Sequence, residues 1–101
     1  MPSFVLTYRQ PAGRGFDPAQ APAWFKWIDE INDHITLPGS AVASTRQLGN
    51  VEGGQMVSGF TVIEARDMDH AAELAQNCPA ITFGYGLEIG ELVDARATAA
   101  A

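Results

Sequence analysis

Strand-like and helix-like patterns alternate along the chain, and their order constrains the fold more than any other feature. Three short runs rich in aromatic and β-branched residues predict strands at residues 3–9, 56–65 and 87–93. A weaker run of small and β-branched residues at 41–48 predicts an edge strand. Two amphipathic patterns, one after the first strand and one before the last, predict helices.

The first helix pattern begins with good N-terminal signals. Asp17 is a suitable N-cap, Pro18 is tolerated at the first helical position, and Gln20 can complete a capping box. Because proline disfavours helical geometry in the residue before it, we predict about five turns that end ahead of Pro38. At about 100° per residue, one arc collects the large apolar side chains, namely Trp24, Trp27, Ile28, Ile31 and Ile35.

The second helix pattern is shorter and has small residues on its inner face. Asp67 is its predicted cap and Pro79 ends it. Between the middle strands, the glycine-rich residues 49–54 predict the turn of a hairpin. Residues 11–16, with two glycines and a proline, predict a loop. Helical spacing places four residues on the inner face of the second helix: Ala71, Leu74, Ala75 and Cys78.

The resulting order, β-α-β-β-α-β, is the split βαβ or ferredoxin-like arrangement. We therefore predict an α+β fold in which a four-stranded antiparallel sheet carries two helices on one face. Residues 1–94 form this domain, and residues 95–101, which lack large apolar side chains, are expected to be a flexible tail. The strands offer apolar side chains at both parities, so the sheet face without helices is expected to be apolar too. Because an open apolar face is usually covered by a second copy of the chain, we predict a homodimer. The apolar strand residues are Phe4, Val5, Leu6, Phe60, Val62, Ile63, Leu87 and Ile89.

Composition narrows the class of partner. A length of 101 residues fits one domain, and 47% hydrophobic with 18% charged residues excludes intrinsic disorder. A net charge of -6 with six basic residues provides no phosphate-binding patch, so nucleic acid is not an expected partner. No signal-peptide pattern and no membrane-length apolar run is present, and one cysteine forms no internal disulfide. These features predict the reducing cytoplasm and no membrane partner.

Several motifs are shared with a known family. In residues 59–79 a Gly-Phe strand ends in Glu-Ala, an Asp-capped helix follows, and a Cys-Pro pair closes the segment. Residues 84–89 form a glycine-rich turn that leads into a strand, and residues 4–9 and 24–27 supply an opening strand and a Trp-rich helix. Over most of its length the chain resembles the YCII-related proteins.

The resemblance implies a dimeric α/β barrel, made when two sheets face each other, with a cleft between sheet and helices. Some relatives carry a His-Asp dyad, and another subgroup carries the sequence Asp-Gly-Pro-Phe, with genes often beside those of extracytoplasmic-function sigma factors. Here Trp24 and Phe25 stand where that histidine is expected, and residues 53–58 read Gly-Gly-Gln-Met-Val-Ser. The apolar open face of the sheet, together with a sequence that shows no catalytic triad, metal set or dyad, favours a homodimeric small-molecule-binding or regulatory domain.

Six side chains are candidates for a ligand site, and each has a structural alternative. His34 is a candidate general base oriented by Glu30 or by a strand carboxylate, or a boundary histidine at a helix end. The two strand glutamates, Glu64 and Glu88, could share a proton, or they could lie in solvent and form surface ion pairs. The other three can line a cleft or the rim of a dimer interface. The candidates are Tyr8, His34, Arg46, Glu64, Tyr85 and Glu88.

Two further classes of function stay open beside the binding domain. One is a small enzyme that uses acid–base chemistry on a small metabolite through His34, Glu64 or Glu88. The other is a pure interaction module with no cavity. The two histidines are far apart in sequence and no phosphate-loop pattern occurs, so neither a metal nor another cofactor is indicated. Cys78 is expected to be a buried, unreactive thiol.

Overall fold

A four-stranded antiparallel sheet with helices on one face forms the protein. The computed structural model describes residues 1–11 and 17–100. The strands are β1 (Ser3–Pro11), β2 (Ile35–Ala41), β3 (Gln55–Glu64) and β4 (Gly86–Leu92). The helices are α1 (Ala21–Glu30), α2 (Met68–Ala75), α3 (Pro79–Thr82) and α4 (Ala95–Ala100). The strand order β2-β3-β1-β4 confirms the predicted ferredoxin-like α+β fold.

Alternation along β1 places the core on one face of the sheet. Phe4, Leu6 and Tyr8 are buried, whereas the residues between them are half-buried and face the other side. Phe4 lies opposite the buried Ile63 of β3, so the two strands contribute to one core layer. Burial of each such side chain stabilises the fold by about 2–3 kcal/mol. Helices cover this face and add Trp27, Ile31, Ala71, Ala75, Cys78 and Ala80 to the core.

The predicted five-turn first helix is wrong in its length. Asp17 does act as a cap, because its Oδ1 accepts from the Ala19 amide at 3.0 Å, but the turn that it opens, Pro18–Gln20, is a 3-10 helix. Gln20 makes no side-chain capping bond at the start of α1. The α-helix ends at Glu30, and Ile35 pairs with Ile63 as part of β2. From that strand the apolar Ile35 side chain still packs on the core, so no further helical turn is needed.

The predicted edge strand at residues 41–48 is also wrong. The edge strand is β2 (Ile35–Ala41), which includes Pro38 and Gly39, and residues 42–54 have no regular structure. Proline is tolerated there because an edge strand leaves one side of its backbone unpaired. Gly39 has φ +76 and lies against the Phe60 backbone, where the register of the β2–β3 pair is irregular. β2 and β3 do pair as the predicted hairpin, but their connection spans residues 42–54 and is longer than the predicted turn at residues 49–54.

The second half follows the predicted pattern closely. Asp67 caps α2, and its Oδ1 accepts from the His70 amide at 2.8 Å. Cys78 is at the N-cap of the short helix α3, a helix that the sequence pattern did not indicate. Within the predicted tail, residues 95–100 form helix α4, in which residues 95–99 are exposed; the flexibility of the tail stays a prediction. The predicted loop at 11–16 lies, apart from Pro11, outside the described residues. No helix among those described is long and apolar enough to cross a membrane.

Candidate functional site

A cleft of about 300 Å³ opens between α1 and the neighbouring ends of β1, β2 and β3. Its walls are largely apolar, with polar groups at separate points. Such a composition is typical of a small-molecule site, in which apolar walls supply contact area and a few polar groups orient the ligand. The aromatic residues that line it are Tyr8, Trp24, Phe25, Phe60 and Tyr85, and the polar ones include Gln10, Asp17, Gln20, Ser40, Ser58 and Thr61.

Three aromatic rings beside the cleft form one edge-to-face cluster. The ring centroids of Tyr8 and Trp24 are 4.7 Å apart, and Trp27 lies 6.1 Å from each of them. Trp27 is buried, and its Nε1 donates to the Leu74 carbonyl at 3.3 Å, which ties α1 to α2. Edge-to-face packing holds aromatic rings in defined orientations. The cluster therefore gives the cleft a well-supported wall.

Gly59 permits the close approach of Tyr8 and β2. It lies opposite Tyr8 in the β1–β3 pair and opposite Ala41 in the β2–β3 pair. A Cβ atom at Gly59 would lie 2.9 Å from the Ser40 carbonyl oxygen and 3.3 Å from Tyr8 Cδ2. Any larger residue would push either the strand or the ring away. The glycine thus positions the Tyr8 ring at the cleft wall.

A directed chain of hydrogen bonds runs through the Tyr8 hydroxyl. Tyr8 Oη and Thr61 Oγ1 are 2.7 Å apart, and Thr61 Oγ1 donates to the Pro38 carbonyl oxygen at 3.1 Å. A carbonyl accepts only, so Thr61 gives its single proton to Pro38 and must accept from Tyr8. Burial raises the pKa of the Tyr8 hydroxyl well above its ordinary value, so Tyr8 stays protonated at neutral pH.

Of the six candidate residues, the structure brings Tyr8 and Tyr85 together at the cleft. Arg46 is exposed in the irregular residues 42–54. His34 ends a 3-10 turn after α1, and its ring makes an edge contact with His70 at a centroid distance of 5.4 Å. The His70 ring in turn accepts from the Arg66 amide through Nδ1 at 3.0 Å. Neither histidine lines the cleft.

Glu64 and Glu88 point from the face of the sheet that the helices leave open. Glu64 lies opposite Ser3 and Glu88 opposite Thr7, so both have the same parity. They are two strands and four residues apart, which corresponds to roughly 16 Å, too far to share a proton. Glu88 accepts from Arg9 Nη2 at 3.3 Å, in a largely exposed ion pair. The two glutamates are therefore separate from each other and from the cleft.

Sequence reasoning missed several polar residues of the cleft. Thr61 and Gln10 are polar but buried, because each lies at the parity of the core residues in its strand. A polar residue at a core position of an apolar strand was the available signal, because such a group must find a hydrogen-bond partner inside. Trp24, which the sequence places on the apolar arc of the first helix pattern, is half-buried at the cleft wall.

The Cys78 thiol is buried as expected, despite its place at a helix N-cap. Burial raises its pKa to about 11, and hydrogen bonds from the amides of Ala80 and Ile81 oppose that effect only in part.

Among the described residues, no group of three or more His, Cys, Asp or Glu side chains could hold a metal ion. The cleft instead contains hydroxyl, amide and aromatic groups.

The buried thiol makes stability depend on pH at the alkaline end. The folded pKa is the higher one, so the stabilisation is complete below pH 9 and is lost as pH rises from about 9 to about 11. We expect a loss of about 2 kcal/mol from this group between pH 8 and pH 10.5. Urea unfolding at pH 8 and pH 10.5 measures it, and Cys78→Ala should lose distinctly less. Equal losses in both proteins would contradict the assignment.

Neither a protein-family model nor a curated protein matches the chain. Among solved structures, it is similar to 5-chloro-2-hydroxyhydroquinone dehydrochlorinase (TftG) from Burkholderia phenoliruptrix AC1100, in complex with 2,5-dihydroxybenzoquinone. The two are 16% identical, with a TM-score of 0.56 over 93% of this chain and 97% of that one. At this identity the likeness shows the fold alone, and it agrees with the ferredoxin-like sheet described above.

Proposed function

We propose that the protein is a YCII-related, homodimeric domain that binds a small molecule in the cleft between α1 and the sheet. The observation that carries this proposal is the cleft itself, about 300 Å³ with aromatic walls and a buried Tyr8–Thr61 hydrogen bond. The small-molecule complex of the structural neighbour supports it as an analogy of fold. Binding without turnover is consistent with a regulatory role. The free Cys78 thiol favours the reducing cytoplasm as the location.

Binding to aromatic fragments tests the cleft. Ligand at ten times its dissociation constant stabilises a protein by about 1.4 kcal/mol, or roughly 6 °C in melting temperature for a domain of this size. Ala41 is exposed and lines the cleft, so Ala41→Trp should fill it and abolish the shift. The matched control is Ala43→Trp, in the exposed segment outside the cleft, which should respond as the wild type does. Fragment binding unaffected by Ala41→Trp would contradict the cleft as the site.

The open face of the sheet supports the homodimer. Val5 lies opposite Val62 on the face without helices, so these two apolar side chains form a row across β1 and β3 there. Leu37 extends the row at β2 and is 51% exposed. Apolar patches of this kind are typical of interfaces, and a second copy presents the same surface in a two-fold dimer.

Light scattering tests the dimer. We expect a mass of twice 10.8 kDa for the wild type at micromolar concentration. Val62→Glu places a charge in the centre of the open face and should give a monomer, because an unpaired charge is costly to bury. Leu48→Glu introduces the same residue at an 81% exposed position outside that face and should leave the dimer intact. A wild-type mass of 10.8 kDa would contradict the proposal.

The geometry favours ligand binding over acid–base catalysis by His34, Glu64 and Glu88. Such catalysis needs two of His34, Glu64 and Glu88 within hydrogen-bond reach of one ligand. None of the three lines the cleft, and both glutamates are exposed on the opposite side of the sheet. The hydrogen bonds to Thr61 and Pro38 fix the position of the Tyr8 hydroxyl in the cleft wall. Burial raises the pKa of this hydroxyl, so Tyr8 stays neutral.

A further inference from the structure

Four of the hydroxyl groups that line the cleft, those of Tyr8, Ser40, Ser58 and Thr61, share one property: each donates its proton within the protein. Thr61 donates to the Pro38 carbonyl at 3.1 Å, Ser40 to the Ala41 carbonyl at 3.0 Å, and Ser58 to the Tyr8 carbonyl at 3.3 Å. Tyr8 donates to Thr61, as the direction of that chain requires. A hydroxyl has one proton and two lone pairs, so each of these oxygens keeps acceptor capacity.

The cleft wall formed by these four hydroxyls therefore offers acceptors to a bound molecule, beside the side-chain amides of Gln10 and Gln20 elsewhere in the lining. The Asp17 carboxylate adds a negative charge, and Arg9, which also lines the cleft, donates through Nη2 to Glu88 at 3.3 Å. Against the hydroxyl wall, a ligand that brings only acceptors would leave its own polar atoms facing lone pairs, and an anionic ligand would also face Asp17. Unpaired polar groups inside a closed site are costly, so polarity of this kind produces selectivity.

We propose that the cleft selects a neutral, planar aromatic molecule that donates hydrogen bonds through a ring hydroxyl or ring N–H, and disfavours isosteric ring ethers and carboxylates. The ligand's donor would meet the Tyr8 phenol oxygen, and its ring would lie against Trp24. Thr61 is a positioning residue in this scheme, because it acts through the Tyr8 proton and sets the direction of that hydroxyl. This inference rests on the proposed binding function and adds the chemical class of ligand.

Indole and benzofuran make a matched pair of probes, since they have the same shape and differ in an N–H group against an oxygen. Titration of the full chain, followed by amide chemical shifts, gives both dissociation constants. We expect indole to bind at least tenfold more tightly than benzofuran, and indole-2-carboxylate to bind more weakly than indole. If benzofuran binds as well as indole, the polarity assignment is overturned while small-molecule binding stands. If neither shifts any cleft resonance at millimolar concentration, both proposals fail.

Substitution of Thr61 provides the second arm. Thr61→Val removes the acceptor of the Tyr8 proton, so Tyr8 can then donate to a ligand. We expect the indole-to-benzofuran preference to fall below about threefold. Thr61→Ser retains the hydroxyl and should keep the wild-type preference. Tyr8→Phe, which removes the phenol oxygen, should weaken indole binding and leave benzofuran binding nearly unchanged. If folded Thr61→Val and Tyr8→Phe kept the wild-type indole-to-benzofuran preference, the hydrogen-bond chain from Tyr8 to Pro38 would not determine ligand selectivity.

Discussion

Gly39→Ala is expected to lower the free energy of unfolding by about 3–5 kcal/mol, whereas Gly49→Ala should cost about 1 kcal/mol. Both glycines have positive φ, +76 and +71, so both substitutions carry the backbone strain of a side chain in that region. They differ in their surroundings. A Cβ at Gly39 would lie 1.8 Å from the Phe60 carbonyl oxygen, while nothing lies within 4 Å of a Cβ at Gly49.

The contact at Gly39 is with backbone, so rotation of a side chain cannot relieve it. The edge strand β2 must move away from β3, and the Pro38 carbonyl that accepts from Thr61 must move with it. The cleft should lose ligand affinity together with stability. Urea unfolding at one fixed protein concentration measures the difference between the two variants. Similar losses for Gly39→Ala and Gly49→Ala would show that β2 does not dock on Phe60 in this way.

Trp27→Ala is expected to lower the free energy of unfolding by about 3–5 kcal/mol. Trp27 is 2% exposed, contacts both Tyr8 and Trp24 edge-to-face, and donates its indole N–H to the Leu74 carbonyl. The substitution leaves a cavity and removes the connection between α1 and α2. Stabilities of small domains are typically about 5–15 kcal/mol, so this loss is a large fraction of the total.

Phe25→Ala is the matched control on the same helix. Phe25 is 68% exposed, so its truncation should change the free energy of unfolding by no more than about 0.5 kcal/mol. Trp27→Phe should fall between the two, because it keeps most of the apolar volume and removes the donor to Leu74. Unfolding followed by circular dichroism avoids dependence on the altered tryptophan signal. Equal effects of Trp27→Ala and Phe25→Ala would contradict the placement of Trp27 in the core.

The sequence was most informative where a pattern is local. The aromatic and β-branched run of β1 and the Asp67 cap of α2 depend on neighbouring residues, and both predictions agree with the structure. It was least informative between residues 31 and 54. There the helical arc that included Ile35 and the stop signal at Pro38 favoured a longer helix, whereas pairing with β3 makes this segment a strand. The pairing partners of β2 (Ile35–Ala41) lie between 18 residues away, for Ala41 and Gly59, and 28 residues away, for Ile35 and Ile63, and local propensity does not include them.

The site shows the same division. Tyr8 and Tyr85 were identified as candidates from their residue types, and the structure places them at one cleft. His34, Arg46, Glu64 and Glu88 were equally plausible by residue type, and they lie elsewhere. Residue type indicates which side chains can act on a ligand, but convergence on one ligand depends on register and helix docking.

The sequence by itself determined the order of the four strands and the two main helices, the fold class and the two-sided apolar character of the strands, because these depend on periodicity and composition within short segments. Only the tertiary structure decided which residues meet at the cleft and in which direction its hydroxyls donate. The hydrogen bond from Tyr8 to Thr61 joins residues 53 positions apart, and Pro38 completes the chain from a third strand. Such an arrangement is set by the antiparallel register of the sheet, in which a shift of one residue reverses every side chain.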